Sequence, residues 1–111
     1  IVAIIEIMEY INNHYSEKIS FNDLVKERGM SYPTFYRNFV KLCKESPTDY
    51  LTECRIENAL RYLNFTNESI ANIALECGFF DSSHFIKAFT AKKNVSPLVY
   101  RKYAEGKNTK Q

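Results

Sequence analysis

Turn-forming residues are scarce in this sequence, which has only three glycines and three prolines among 111 residues. Chains built from many hairpins need these residues in their tight turns, so the scarcity argues against an all-β fold and favours helices joined by short loops. Long apolar runs are also missing. The longest covers residues 1–5, far short of the ~20 residues of a membrane-spanning helix, and no charged segment precedes it as in a signal peptide. We therefore expect no transmembrane span and a cytoplasmic location.

Motifs for metal binding, redox chemistry and catalysis are missing too. The three cysteines, Cys43, Cys54 and Cys77, are widely spaced and form no C-x-x-C pair. Each occupies a partly apolar position compatible with a helix, so we interpret them as reduced packing thiols. No Ser/His/Asp set, glycine-rich phosphate loop or pair of carboxylates stands out. We predict no cofactor, no metal site and no enzymatic activity.

Charge is unevenly distributed, although the net charge is only +2. Residues 37–44 carry three cations and no acid, and residues 81–111 carry seven cations and two acids, whereas the segments 1–36 and 45–80 are acidic. Two basic islands in an otherwise acidic chain indicate either solvated faces or two separate contacts with a polyanion.

Seven helices are predicted from apolar periodicity and capping residues, so the expected fold class is all-α. The first helix covers about residues 1–15. The fourth and longest begins at Ser46-Pro47 and ends near residues 64–67, and Ser96-Pro97 opens the seventh.

The length of the chain allows one modest core, or two very small cores that share an element. Because the chain begins at Ile1 without an initiator Met, we expect it to be a piece of a longer protein.

The remaining helices have recognisable starts and inner faces. Their predicted N-caps are Ser20, Ser31 and Ser69, with either Asp81 or Ser82 for helix six. Gly29 and Gly78 are predicted to end helices two and five with positive φ. The residues predicted to face inward on helices three and six are Phe35, Phe39, Leu42, Phe85, Ile86 and Phe89.

The second half of the chain repeats the first at an offset of 50 residues. The recurring positions are Phe35, Arg37, Phe39, Ser46, Pro47 and Tyr50, matched by Phe85, Lys87, Phe89, Ser96, Pro97 and Tyr100. Gly29 and Gly78 are 49 apart because the second copy has one residue inserted after its turn. Each copy has a short helix, a glycine turn and a second helix with a basic outer residue, which is the helix-turn-helix arrangement. The basic islands coincide with the second helices or their C-terminal ends, which favours DNA binding over solvated faces.

A longer string of residues resembles one known family. It comprises Gly29-Met30-Ser31, Phe35, Arg37, Phe39, Ser46-Pro47, Tyr50-Leu51, Arg55, Ala59, Leu63, Ile70, Ile73-Ala74, Gly78-Phe79, Ser83, Phe85, Phe89, Ser96-Pro97 and Tyr100-Arg101. The string resembles the DNA-binding domain of AraC/XylS-type bacterial transcription regulators over nearly the whole chain. The resemblance implies two helix-turn-helix units, at about 21–43 and 70–93, joined by a central helix at about 47–64. It further implies a domain covering residues 1–104, a basic tail at 105–111 and a regulatory or dimerisation domain that precedes Ile1 in the longer protein.

Two positions depart from the family pattern. The family usually has Gly between each second helix and its Ser-Pro pair, and here Lys44 and Asn94 stand there. Asn tolerates a left-handed conformation, whereas Lys44 is either mildly strained or uses another turn.

Matching the family's base-reading positions selects candidates in both units. In the first unit these are Pro33, Thr34, Tyr36 and Arg37, and in the second they are Ser82, Ser83 and Lys87. Arg37 is the best donor to guanine, Tyr36 is either a thymine or phosphate contact or a core residue, and Ser82 is either a cap or a base contact. The candidates for phosphate contacts are Ser31, Lys41, His84, Lys92 and Lys93.

These observations predict sequence-specific binding to double-stranded promoter DNA and regulation of bacterial transcription, with activation through RNA polymerase as the expected mode. If the central helix is rigid, the two second helices enter major-groove segments about one turn, ~10 base pairs, apart. The alternative is a helical protein-interaction module that acts on RNA polymerase or a partner regulator without specific DNA readout.

Overall fold

Seven helices make up the computed structural model, which describes residues 1–109, with the side chains described as far as Lys107. They are α1 (Val2–His14), α2 (Phe21–Glu27), α3 (Tyr32–Cys43), α4 (Pro47–Phe65), α5 (Ile70–Glu76), α6 (Ser82–Lys93) and α7 (Pro97–Thr109). Residues 1–109 contain no strand. The all-α prediction is therefore confirmed. Lys110 and Gln111 of the expected basic tail lie outside the described residues, and residues 105–109 of that tail belong to α7.

Hydroxyl and carboxylate side chains cap the N-termini of six helices. The Ser20 hydroxyl accepts from the Asp23 amide, and Ser31 and Ser69 accept in the same way from Thr34 and Asn72. Ser46 and Ser96 accept from the amides three residues ahead, at 3.1 and 3.2 Å. At α6 the cap is Asp81, whose carboxylate accepts from the His84 amide at 2.8 Å. Of the two residues left open for that position, Asp81 and not Ser82 is the cap.

A residue with positive φ follows each of the four helices α2, α3, α5 and α6. Gly29 and Gly78 have φ of 67° and 93°, and the amides that follow them, those of Met30 and Phe79, donate to carbonyls five residues back at 2.9 Å. This is the hydrogen-bond pattern of a Schellman motif, which needs φ > 0 at the glycine. Lys44 and Asn94 also have positive φ, 63° and 64°. Lys44 therefore adopts the strained conformation and not another turn.

The chain divides into two compact units, residues 1–54 and 55–111, with the boundary inside α4. The first unit has a buried core from α1, α2, α3 and the start of α4, made of Ile4, Ile7, Ile11, Leu24, Val25, Phe35, Phe39 and Leu51. The second has a core from the rest of α4 with α5 and α6, made of Ile56, Ala59, Leu63, Ile73, Ala74, Cys77, Phe79, Phe85 and Phe89. Each unit thus has its own core, and α4 is the shared element.

The repeat extends further than the aromatic pattern suggested. Ile4, Ile7 and Ile11 of α1 line the first core, and Ile56, Ala59 and Leu63 of α4 line the second at the same spacing. One polar pair recurs with them. The Tyr50 hydroxyl lies 3.3 Å from the Asn12 amide oxygen, and that of Tyr100 lies 3.1 Å from Asn64. The C-terminal part of α4 therefore does for the second unit what α1 does for the first.

Leu42 and Ile86, both predicted to face inward, are exposed by 48% and 40%. Each successive residue of an α-helix turns by about 100°. This rotation carries Ile86 onto the flank of α6, while Phe85 and Phe89 stay buried. On α3 the next inward position is Cys43, whose thiol lies 3.8 Å from the Met8 sulfur. The predicted assignment of Leu42 and Ile86 to the core is therefore wrong.

Arg101 has a structural role that the sequence did not suggest. Its guanidinium donates to the carbonyls of Glu68 at 2.5 Å, Thr66 at 3.2 Å and Tyr62 at 3.3 Å. These carbonyls lie in the last turn of α4 and in the loop that follows, where helical partners run out. Arg101 therefore ties α7 to the end of α4.

Candidate nucleic-acid interface

The outer face of α3 carries most of the first set of predicted DNA contacts. Pro33, Thr34, Arg37 and Lys41 are all exposed there, on the side of the helix opposite the buried Phe35 and Phe39. The helix period explains this, because residues 34, 37 and 41 follow one another at steps of three and four along one stripe. Within the described part of the chain, neither Arg37 nor Lys41 forms an ion pair. The stripe therefore presents two uncompensated cations.

The N-terminal end of this stripe is held by local hydrogen bonds. The Ser31 hydroxyl accepts from the Thr34 amide at 3.4 Å and donates to the Thr34 hydroxyl at 3.0 Å. The Thr34 hydroxyl is thereby fixed at the start of the helix with an acceptor lone pair and its own proton still available. Both residues remain exposed.

Tyr36 lies on the flank of α3, exposed by 41%. Its ring is 6.1 Å from that of Tyr32, a half-buried residue that packs against the first core. Of the two alternatives for Tyr36, the core position is therefore wrong, and the ring is accessible to a ligand along the edge of the stripe.

On α6 the equivalent stripe carries Ser83, His84 and Lys87, all exposed. Ser82 is half-buried, since it starts the helix just after the Asp81 cap. The His84 ring stands edge-on to the buried Phe79, with 5.4 Å between the ring centroids. Packing against Phe79 limits the motion of the imidazole without burying it. The two stripes are thus equivalent in position but differ in chemistry.

The phosphate candidates at the C-terminal end of α6 differ in their surroundings. Lys92 is exposed and makes no ion pair with any described residue. Lys93 is half-buried, and its ammonium lies 3.1 Å from the Glu57 carboxylate of α4. A phosphate would have to compete with that carboxylate for Lys93, whereas Lys92 is available directly.

The described residues offer little for metal or thiol chemistry. Residues 1–107 contain no group of three His, Cys, Asp or Glu side chains arranged to hold a metal ion. Cys77 is fully buried, and burial raises the pKa of its thiol to about 12. Burial, aided by Glu45, also raises the pKa of Cys43. Raised thiol pKa values leave little thiolate for nucleophilic attack or metal binding. Within the described chain, no helix has the length and apolar character needed to cross a membrane.

One exposed residue beside α6 was not anticipated. Phe80 stands between the Gly78 turn and the Asp81 cap and is 84% exposed. It occupies the position inserted in the second copy of the repeat. The only signal for it in the sequence was the change of offset from 50 to 49 around the turn.

Comparison with known proteins identifies the arrangement. A family model described as "Helix-turn-helix domain" matches residues 24–103. The chain is 29% identical over 97 residues to the HTH-type transcriptional regulator YdeC of Bacillus subtilis (strain 168), covering 87% of this chain and 33% of that protein. It is 30% identical over 96 residues to the HTH-type transcriptional activator RhaS of Enterobacter sp. (strain 638), covering 86% and 34%. The chain therefore spans about a third of the length of the curated relatives it matches.

Solved structures agree with this match. The DNA-binding domain of AdpA, a global transcriptional factor crystallised with a target DNA, superposes with a TM-score of 0.90 at 25% identity, over 97% of both chains. The C-terminal domain of AraT, a response regulator from Geobacillus stearothermophilus, gives a TM-score of 0.86 at 25% identity, over 91% of this chain and 84% of that one. The chain belongs to the AraC/XylS-type family of helix-turn-helix transcription regulators, a family of DNA-binding proteins and not of enzymes.

Proposed function

We propose that this chain binds double-stranded DNA sequence-specifically by inserting α3 and α6 into the major groove. The observation that carries the proposal is the pair of equivalent cations, Arg37 and Lys87. Each is exposed on the outer face of its helix and lies clear of any carboxylate among the described residues. Likeness to a DNA-binding domain crystallised with its target DNA supports the same conclusion.

In the first unit we assign base contacts to Pro33, Thr34, Tyr36 and Arg37. A guanidinium can bond bidentately to guanine O6 and N7, so Arg37 is the strongest source of discrimination. The Thr34 hydroxyl can donate or accept, and its methyl group fits a thymine methyl. Pro33 and Tyr36 flank the stripe and supply apolar contact. The first unit thus reads bases through few polar groups.

In the second unit we assign base contacts to Ser83 and Lys87, with a smaller part for the half-buried Ser82. Serine hydroxyls can pair with several base edges, and the Lys87 ammonium suits guanine. Contacts to the DNA backbone fall to Ser31, Lys41, His84 and Lys92. Lys93 contributes less to DNA binding than Lys92, because Glu57 already neutralises it at 3.1 Å.

Regulation of bacterial transcription follows from the family, and activation through contact with RNA polymerase is our proposal for the mode. The RhaS relatives are named as transcriptional activators. We extend the proposal to the domain organisation, in which residues 1–104 form the DNA-binding domain and a regulatory or dimerisation domain lies elsewhere in the longer protein. The relatives, about three times as long as the matched region, are in keeping with that organisation.

Selection from a randomised duplex library followed by fluorescence anisotropy tests the DNA-binding proposal. Arg37→Ala and Lys87→Ala should each weaken binding to the selected duplex by about tenfold, because one good side-chain pair with a guanine contributes ~1–3 kcal/mol. Discrimination should relax only at the base pairs that each residue contacts. Lys18→Ala, an exposed lysine in the loop between α1 and α2, is the matched control and should leave both properties unchanged.

Salt dependence separates base contacts from phosphate contacts. Lys41→Ala and Lys92→Ala should weaken binding to all duplexes alike and lower the slope of log K against log salt by about one each. If the unmodified chain selects no sequence, the groove assignment is wrong, and a protein-interaction module without specific readout is the better description.

A further inference from the structure

Phe80 is the most exposed large hydrophobic side chain of the second unit, at 84%. The neighbouring phenylalanines behave differently: Phe79, Phe85 and Phe89 are buried, and the Phe85 ring contacts the rings of the other two. Phe80 makes no ring contact with a described residue. An isolated exposed aromatic needs no explanation in general, but this one has a special position in the repeat.

The position is an insertion at the entrance to α6. In the first unit one residue, Met30, separates the left-handed glycine from the Ser31 cap. In the second unit two residues, Phe79 and Phe80, separate Gly78 from the Asp81 cap. Met30 and Phe79 are equivalent, because the amide of each closes the turn with a 2.9 Å hydrogen bond to a carbonyl five residues back. Phe80 is therefore the extra residue, and it projects beside the N-terminus of α6.

The N-terminal residues of a recognition helix are those that contact base edges in helix-turn-helix proteins. A phenyl ring there offers no hydrogen bond, so its binding partner must be an apolar part of the nucleic acid. In the major groove that part is the 5-methyl group of thymine, which accepts apolar contacts from side chains. Covering the ring with a methyl group would also remove apolar surface from water.

We propose that Phe80 packs against the 5-methyl group of a thymine at the edge of the half-site read by α6, and so adds a base preference that the polar stripe of Ser83 and Lys87 does not supply. This inference rests on the proposed DNA binding and extends it to a specific base. Nothing equivalent exists in the first unit, since Met30 is half-buried against the first core.

Uracil substitution tests the contact, because uracil differs from thymine only by the missing methyl group. The probe is a duplex selected by the unmodified chain from a randomised library, with its thymines replaced by uracil one at a time. At one position the replacement should weaken binding of the unmodified chain about fourfold, the effect expected of one buried methyl group. In Phe80→Ser the same replacement should have no effect, and Phe80→Leu should retain part of it.

Phe65→Ser is the matched control, since Phe65 is 82% exposed but lies at the C-terminal end of α4. It should behave like the unmodified chain on every duplex. Because both side chains are exposed, neither serine variant should change the melting temperature. If Phe80→Ser binds as tightly as the unmodified chain, or keeps the full response to uracil at every position, the proposal is overturned. Failure of the DNA-binding proposal gives another result, because then Arg37→Ala and Lys87→Ala also leave affinity unchanged.

Discussion

Replacing Arg101 by Ala should destabilise the second unit, because the guanidinium bonds three carbonyls at the end of α4. The three are not equally dependent on it. Tyr62 O also accepts from the Thr66 amide and hydroxyl at 3.0 and 2.7 Å, so it keeps partners in the variant. The hydrogen bonds to Glu68 O and Thr66 O are therefore the two whose loss should lower the stability of the second unit.

Hydrogen bonds from a charged donor contribute at least ~1.5 kcal/mol each, which gives about 3 kcal/mol for these two. Part of this is offset, since the buried Arg101 Nε has no hydrogen-bond partner among the described residues and its removal recovers about 1 kcal/mol. We therefore expect Arg101→Ala to lower the free energy of unfolding by about 2 kcal/mol, which corresponds to a fall of about 10 °C in Tm for a domain of this size.

Urea unfolding followed by circular dichroism measures the change, with Lys102→Ala as the control because Lys102 is exposed on the next position of α7. Arg101→Lys should recover less than half of the loss, since one ammonium cannot span carbonyls that a planar guanidinium reaches together. If Arg101→Ala unfolds within 0.5 kcal/mol of Lys102→Ala, an effect of the order typical for surface substitutions, the guanidinium does not hold α7 to α4 and the reasoning fails.

Two further predictions concern backbone strain and a buried thiol. Lys44→Gly should raise the free energy of unfolding by about 0.5–1 kcal/mol, because Lys44 has φ of 63° and a side chain is strained there. Asn94→Gly should raise the free energy of unfolding by less. A loss of stability in Lys44→Gly would contradict the strain argument. Cys77 is buried with its pKa raised to about 12 from 9.0, so the unfolded thiol ionises first and stability should fall as pH rises from about 9 towards 12. Urea midpoints across that range should fall less steeply in Cys77→Ala, and parallel curves would exclude the contribution.

Local features of this chain were readable from its sequence because they depend on residues three to five apart. The caps at Ser20, Ser31 and Ser69 each join a side chain to an amide three residues ahead. The inward aromatics Phe35 and Phe39 follow from the helix period. Leu42 lies seven residues after Phe35, a rotation of only about 20°, so the period alone predicts that it faces inward, and its exposure depends on which elements pack against the end of α3.

Features that join distant parts of the chain could not be predicted from the sequence. The Arg101 contacts span 33 to 39 residues, and a charged residue in a basic stretch gives no local sign of such a role. The correspondence of Ile7 with Ala59 was hidden for another reason, because the two side chains differ in size and the offset changes from 50 to 52 there. For the candidate site, the sequence identified the stripe but not the competition of Glu57 for Lys93, which depends on how α4 packs against α6.

The way α4 serves both units has a consequence for how such an array can grow. Its first turn, with Pro47 and Tyr50, closes the first core, and its later residue Ile56 begins the second core, where it is 1% exposed. Helix α7 starts in the same manner with Pro97 and Tyr100, but Gly106 and Lys107 stand where α4 has Ile56 and Glu57, and both are exposed. In repeat proteins each unit packs against an apolar face of its neighbour, and Ile56 begins such a face on α4. Gly106 has no side chain to make the same contact, so at this position α7 does not repeat α4.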